Sequence, residues 1–156
     1  CSDPPSEQAA AMNPALASLY QEVILTHHRE PHHFGPLPEA THHCRLANHL
    51  CGDEITISLL LEGSSVSRCH FEGHGCALCR ASASLLTDAV WGLSPESVRT
   101  LSDSVIRFLR SPPDSESPVG IGDLVALGGV REYPSRRRCA TLPWEALLSA
   151  LMTPLG

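Results

Sequence analysis

Three cysteine-centred segments stand far apart in the chain: Cys51-Gly52-Asp53, Gly73-His74-Gly75-Cys76 and Arg136-Arg137-Arg138-Cys139-Ala140-Thr141. Together they offer three thiolates and one carboxylate, enough to close a tetrahedral site around zinc or to hold iron with sulfide. A fold that uses them as one centre must carry three distant segments to the same point, and that requirement limits the architecture more than any other feature.

At 156 residues, 42% of them apolar, the chain suits one domain with a single core. Aromatic residues make up 4% and the net charge is -6, so neither a stacking surface nor a phosphate-binding face is offered to nucleic acid. Arg136 to Arg138 form the only dense basic run, directly before Cys139, where they read as local electrostatics. No apolar stretch reaches the roughly 18 residues a bilayer span needs. The cysteines number seven, an odd count, and no apolar signal segment stands ahead of Met12, so we expect reduced thiols in a cytoplasmic protein.

Residues 1–12 are polar and aperiodic and read as a disordered extension; a single domain is expected over 13–153. Asn13 followed by Pro14 predicts a helix start, and Leu16, Leu19, Tyr20, Val23 and Ile24 share one face of a helix ending near Arg29, ahead of Pro31. His32 to His43 reads as a connection. Alternating Ile55, Ile57 and Leu59 predict a strand over 54–61; a turn at 62–64 and a second strand over 66–71 complete an antiparallel hairpin. Gly73-His74-Gly75 is expected to break that strand, with a helix over 77–90 following, so that Cys76 sits at a strand-to-helix junction. Exposed amides and the helix dipole favour a thiolate there. Ser94-Pro95-Glu96 opens a helix to about Leu109, and 111–122 reads as a loop. A short helix over 123–127 and a last one opened by Pro143 are expected, with Cys139 in the loop before it. The predicted class is α+β: a small antiparallel β-sheet packed against helices.

In this arrangement Cys51 and Asp53 come from one loop, Cys76 from the far end of the hairpin and Cys139 from a third segment. Three thiolates and a carboxylate around a divalent ion carry an excess of about two negative charges, which Arg136 to Arg138 are placed to balance. A carboxylate is the weaker partner for zinc among thiolates, so the site should open more easily than one built from four cysteines. Cys44, Cys69 and Cys79 fit small buried hydrophobes. Cys76 and Cys79 have the spacing of a redox pair, but without the βαβ context of one. Most of the paired histidines (27–28, 32–33 and 42–43) read as solvated, with adventitious metal binding as the rival reading.

The segments Leu19-Tyr20-Gln21-Glu22-Val23-Ile24-Leu25 with His28 and Pro31, Cys51-Gly52-Asp53, Phe71-Glu72-Gly73-His74-Gly75-Cys76, Ala81-Ser82-Ala83-Ser84 and Cys139-Ala140-Thr141-Leu142-Pro143-Trp144 resemble the NifU-like and IscU-like iron-sulfur cluster assembly proteins. Arg138 before Cys139, where the IscU branch has histidine, and roughly 20 extra residues ahead of it resemble the SufU branch of that family. The resemblance implies a SufE/NifU-like fold, with Cys51, Asp53, Cys76 and Cys139 binding zinc and Arg136 steadying Cys51. It implies that Cys51 accepts persulfide sulfur from a SufS-type cysteine desulfurase, which carries the pyridoxal phosphate itself, and that the product serves downstream iron-sulfur assembly or acceptor proteins. Departures from the family pattern are His49 and Leu50 before the first cysteine, His74 at a commonly acidic position and Cys79 in place of serine.

The expected activity is that of a zinc-dependent sulfur carrier rather than a free-standing enzyme. The rival is a scaffold on which a [2Fe-2S] cluster, or iron, is held by the same residues. A purely structural zinc module is disfavoured by the Asp53 ligand.

Overall fold

The computed structural model describes residues 14–49 and 52–154. The proposed extension over 1–12 and the Asn13 cap lie outside the described residues. Helix α1 (Pro14–Arg29) is followed by strands β1 (His42–Asn48), β2 (Asp53–Glu62) and β3 (Ser65–His74), then by helices α2 (Ala77–Val90) and α3 (Pro95–Arg110). A 3-10 segment (Gly122–Glu132) and a short 3-10 turn (Pro134–Arg136) lead into α4 (Arg137–Leu151). The strands form an antiparallel sheet in the order β1-β2-β3, the α+β class expected.

Strand period decides what the sheet buries. Asp53, Ile55, Ile57 and Leu59 alternate with half-buried residues along β2, and all four point to one face. Across the ladders their partners include Phe71 and Cys69 on β3 and Leu46 on β1. Helix α4 covers this face over β1 and β2, α2 covers β3, α1 lies against α2, and α3 backs α4. The apolar stripe of β2 thus ends, at its amino-terminal tip, in the carboxylate of Asp53, which is 1% exposed.

The contact between α2 and α4 is fixed by a serine. The Ser82 hydroxyl donates to the Ala140 carbonyl at 2.6 Å and accepts from the fully buried Trp144 indole at 3.2 Å. Ala81, Ala83 and Ser84 beside it are buried as well, and their small side chains let α1 and α4 approach α2 closely. This locks the first turn of α4, with Cys139, beside α2, which begins just after Cys76.

Several expectations need correction. The connection over 32–43 ends in a third strand: β1 begins at His42 and is an edge strand with a weak burial pattern, so its sequence carries no clear alternation. Gly73 does not break β3, which runs to His74 with Gly73 opposite Ile55. A Cβ at Gly73 would stand 2.0 Å from the Glu54 carbonyl oxygen, and φ is +122°, so glycine is what lets the ladder continue there. Helix α4 starts at Arg137, six residues before Pro143, which sits inside it; Cys139 is helical rather than in a loop. Proline within a helix withholds one N–H, here from the Cys139 carbonyl, and tertiary packing of Ala140 and Trp144 sustains the turn. The short helix over 123–127 is the 3-10 segment Gly122–Glu132.

Candidate metal centre

Asp53, Cys76 and Cys139 converge. One carboxylate oxygen and the two sulfur atoms lie within 4.8 Å of one another. Asp53 and Cys139 are buried and Cys76 is half-buried, so the group opens to solvent on the Cys76 side. Cys51, the fourth expected ligand, lies outside the described residues. Gly52 and Asp53 follow it directly, and Asp53 is already within the group.

Local backbone geometry positions each donor. Cys76 caps α2 in extended conformation, and its N–H donates to Asp53 Oδ1 at 3.0 Å. Its thiol is lowered to about 7 by a hydrogen bond with Cys139; burial opposes this, the Cys79 backbone reinforces it, Asp53 opposes it, and the Leu78 backbone reinforces it. Asp53 Oδ2 is buried and has no hydrogen-bond partner among the described residues. A buried, unpartnered carboxylate oxygen is costly unless a cation sits against it. Two cysteine sulfurs lie within 4.8 Å of one Asp53 carboxylate oxygen, a donor set that fits zinc or iron.

Gly75 is part of the centre, although the sequence marked it only as a breaker. A Cβ there would come 2.8 Å from Asp53 Oδ1 and 3.2 Å from Cys79 Cβ. Gly75→Ala is therefore expected to push the Asp53 carboxylate out of line and to weaken metal binding by about 10–100-fold, as loss of an outer-shell contact does. Competition with a zinc chelator measures it, and wild-type affinity would show that the close approach is immaterial.

Asn48 was also missed: it is 5% exposed and pairs with Asp53 across the β1–β2 ladder, at the same end of the sheet. Only the register of β1 reveals it, and β1 was not legible. Arg136 ends the 3-10 turn three residues ahead of Cys139, half-buried. Arg137 and Arg138 are committed elsewhere: Arg137 donates to the Arg131 carbonyl at 2.9 Å, and Arg138 pairs with Glu145 at 3.2 Å. Cys69 and Cys79 are fully buried, as small hydrophobes are, and Cys44 is half-buried. Among the histidines, His27 is buried rather than solvated.

Comparison with known proteins agrees with this geometry. Residues 19–140 match the family described as NifU-like N terminal domain. The chain is 34% identical over 137 residues to the zinc-dependent sulfurtransferase SufU of Bacillus subtilis (strain 168), covering 88% of this chain and 92% of that one. It is also 34% identical over 139 residues to the iron-sulfur cluster assembly scaffold protein IscU of Streptococcus pyogenes serotype M1, covering 87% and 84% respectively. A crystal structure of a putative iron-sulfur cluster assembly scaffold protein for the SUF system from Fervidobacterium islandicum AW-1 superposes with a TM-score of 0.74 at 26% identity, over 86% of this chain and 97% of that one. With its α+β sheet, its converging thiols and these relatives, the chain belongs to the NifU-like N-terminal domain family.

Proposed function

We propose that this protein serves iron-sulfur cluster assembly as a zinc-dependent sulfurtransferase, with Cys51 as the residue that accepts sulfur from a SufS-type cysteine desulfurase. The observation that carries the reading is the buried Asp53 carboxylate, one oxygen without a hydrogen-bond partner among the described residues, set against two cysteine sulfurs. A structural zinc site has no need of so weak a ligand, whereas a centre that must release one cysteine does. The similarity to a zinc-dependent sulfurtransferase supports the same choice.

Asp53, Cys76 and Cys139, together with Cys51, would hold the ion. Bound zinc supplies charge that keeps the coordinated sulfurs ionised at neutral pH. The chain's own residues do the rest. Cys51, as thiolate, attacks the outer sulfur of the donor's cysteine persulfide; a new sulfur–sulfur bond forms on Cys51, the donor's own sulfur–sulfur bond breaks, and the donor cysteine leaves as thiolate. Arg136 is proposed to hold the released Cys51 by its positive charge. The Cys76 N–H fixes Asp53 Oδ1, so the carboxylate keeps its position when Cys51 leaves. The persulfide would then pass to downstream assembly or acceptor proteins. Reduced thiols are what the chemistry requires, which fits action in the cytoplasm; no described helix is long and apolar enough to cross a membrane.

The second reading is a scaffold for a [2Fe-2S] cluster on the same residues, favoured by equal identity to a protein named as such a scaffold. Elemental analysis with an absorption spectrum, on protein purified without oxygen or added metal, separates the two. About one zinc per chain and a colourless solution is the expected result. Iron with sulfide and a brown chromophore would transfer the assignment to the scaffold.

A further inference from the structure

At the other end of α2 a second donor group forms. His27, in the last turn of α1, is 7% exposed. His32 follows in the turn after α1, and Asp88 lies in the last turn of α2. One ring nitrogen from each histidine and one Asp88 oxygen lie within 4.8 Å of one another. Asp88 is twelve residues beyond Cys76, about 18 Å along the helix axis, so this group is separate from the cysteine centre.

The surroundings organise the donors. Ser84 Oγ accepts from the His32 backbone N–H at 2.7 Å and meets His27 Nδ1 at 2.6 Å. With Nδ1–H donated to that oxygen, His27 Nε2 keeps its lone pair, the arrangement in which ligating histidines are usually anchored. Burial lowers the His27 pKa, a shift the charge of His32 reinforces and that of Asp88 and Asp123 opposes, which favours the neutral, ligating form. His32 Nδ1 contacts Asp88 Oδ2, and His33 Nδ1 lies 3.5 Å from Asp88 Oδ1. The His32 and Asp88 side chains are 46% and 41% exposed, so an ion can reach them from solvent. A simple surface ion pair would involve only His32 and Asp88; the buried third donor beside them has no part in such a pair.

We propose that His27, His32 and Asp88 form a second cation site, for a divalent first-row transition ion, at the end of α2 remote from the cysteines. Two imidazoles and a carboxylate with open positions suit Zn2+, Co2+, Ni2+ or Fe2+ rather than Mg2+ or Ca2+. Donors bound at about 2.1 Å stand about 3–4 Å apart, so His32 and Asp88, now in hydrogen-bond contact, must part slightly to admit the ion, a movement that His32, on an exposed turn, can supply. An ion there takes the place of the hydrogen bond between His32 and Asp88 and ties the His32–His33 turn to α2.

The test uses the full chain carrying one equivalent of zinc, titrated with Co2+ and followed by calorimetry and absorption. A second equivalent is expected, with weak d–d bands and no sulfur-to-metal charge-transfer band. His32→Asn and Asp88→Asn, both at exposed positions, should each weaken that second equivalent by more than about 10-fold and leave the first zinc in place. The proposal is overturned by a parent protein that takes up no second ion, by a second ion with a sulfur charge-transfer band, or by variants that bind it as the parent does.

Discussion

Asp53→Asn should lose zinc yet be no less stable than the parent once metal is removed. The substitution keeps Oδ1, so the Cys76 N–H retains its acceptor at 3.0 Å, but it removes the charge that would meet the ion. Loss of a direct ligand should lower zinc affinity by more than the roughly 100-fold that marks the upper range for outer-shell partners. In the metal-free protein the same change relieves a buried carboxylate whose Oδ2 has no hydrogen-bond partner among the described residues, worth on the order of 1–3 kcal/mol. At roughly 2–4 °C per kcal/mol, Tm in chelator should be equal to or several degrees above that of the parent, while Tm with excess zinc should be lower. Thermal scans of both proteins with and without zinc measure the crossing. A variant that binds zinc as tightly as the parent would remove Asp53 from the centre. Asp53→Ala also discriminates between the two functions: a sulfur carrier should lose zinc and transfer together, whereas a cluster scaffold should hold its cluster more firmly.

Cys51→Ser should abolish sulfur acceptance, because serine offers no thiolate to attack a persulfide. We expect stimulation of the desulfurase to fall to background, at least about 100-fold below the parent. The metal count decides what that loss means, so it is measured on the same preparation. Folded protein that retains Asp53, Cys76 and Cys139 but transfers nothing supports Cys51 as the acceptor. Undiminished stimulation would favour a purely structural metal module.

The legible parts of the fold were those where one physical pattern acted alone. Ile55, Ile57 and Leu59 alternate because one face of β2 is buried and the other is not, and this pattern was readable from the residues. Asp53, two positions earlier, was read as part of the loop after Cys51; it is instead the first residue of β2, on the buried face at 1% exposure. The strand-to-helix junction at Cys76 was equally legible. What failed were elements governed by partners distant in sequence. β1 is held by its ladder to β2 and shows little periodicity of its own, so neither the strand nor Asn48 at its end could be seen. The start of α4 was placed at Pro143 because proline favours a first helical turn; Ser82, nearly sixty residues earlier in the chain, secures Ala140 and extends the helix back past Cys139. Gly73 and Gly75 announced themselves only as breakers, though Gly73 keeps a ladder continuous and Gly75 makes room for a ligand.

The candidate site was read in the same mixed way. Its residue types and their grouping followed from the sequence, and the structure brings Asp53, Cys76 and Cys139 together. The arginine run was read as one balancing charge, but Arg137 and Arg138 have backbone and Glu145 partners. Most of the paired histidines were read as solvated, without a signal that His27 is the buried one, against Ser84.

The central claim is that sulfur is carried on Cys51. Its most direct test is mass spectrometry of the zinc-loaded protein after incubation with cysteine and a pyridoxal phosphate-dependent cysteine desulfurase, followed by thiol alkylation and proteolysis. One added sulfur atom on the peptide containing Cys51, and absent from those of Cys76 and Cys139, is the predicted result. Sulfur on another cysteine, or none on Cys51 while the desulfurase turns over, would contradict it.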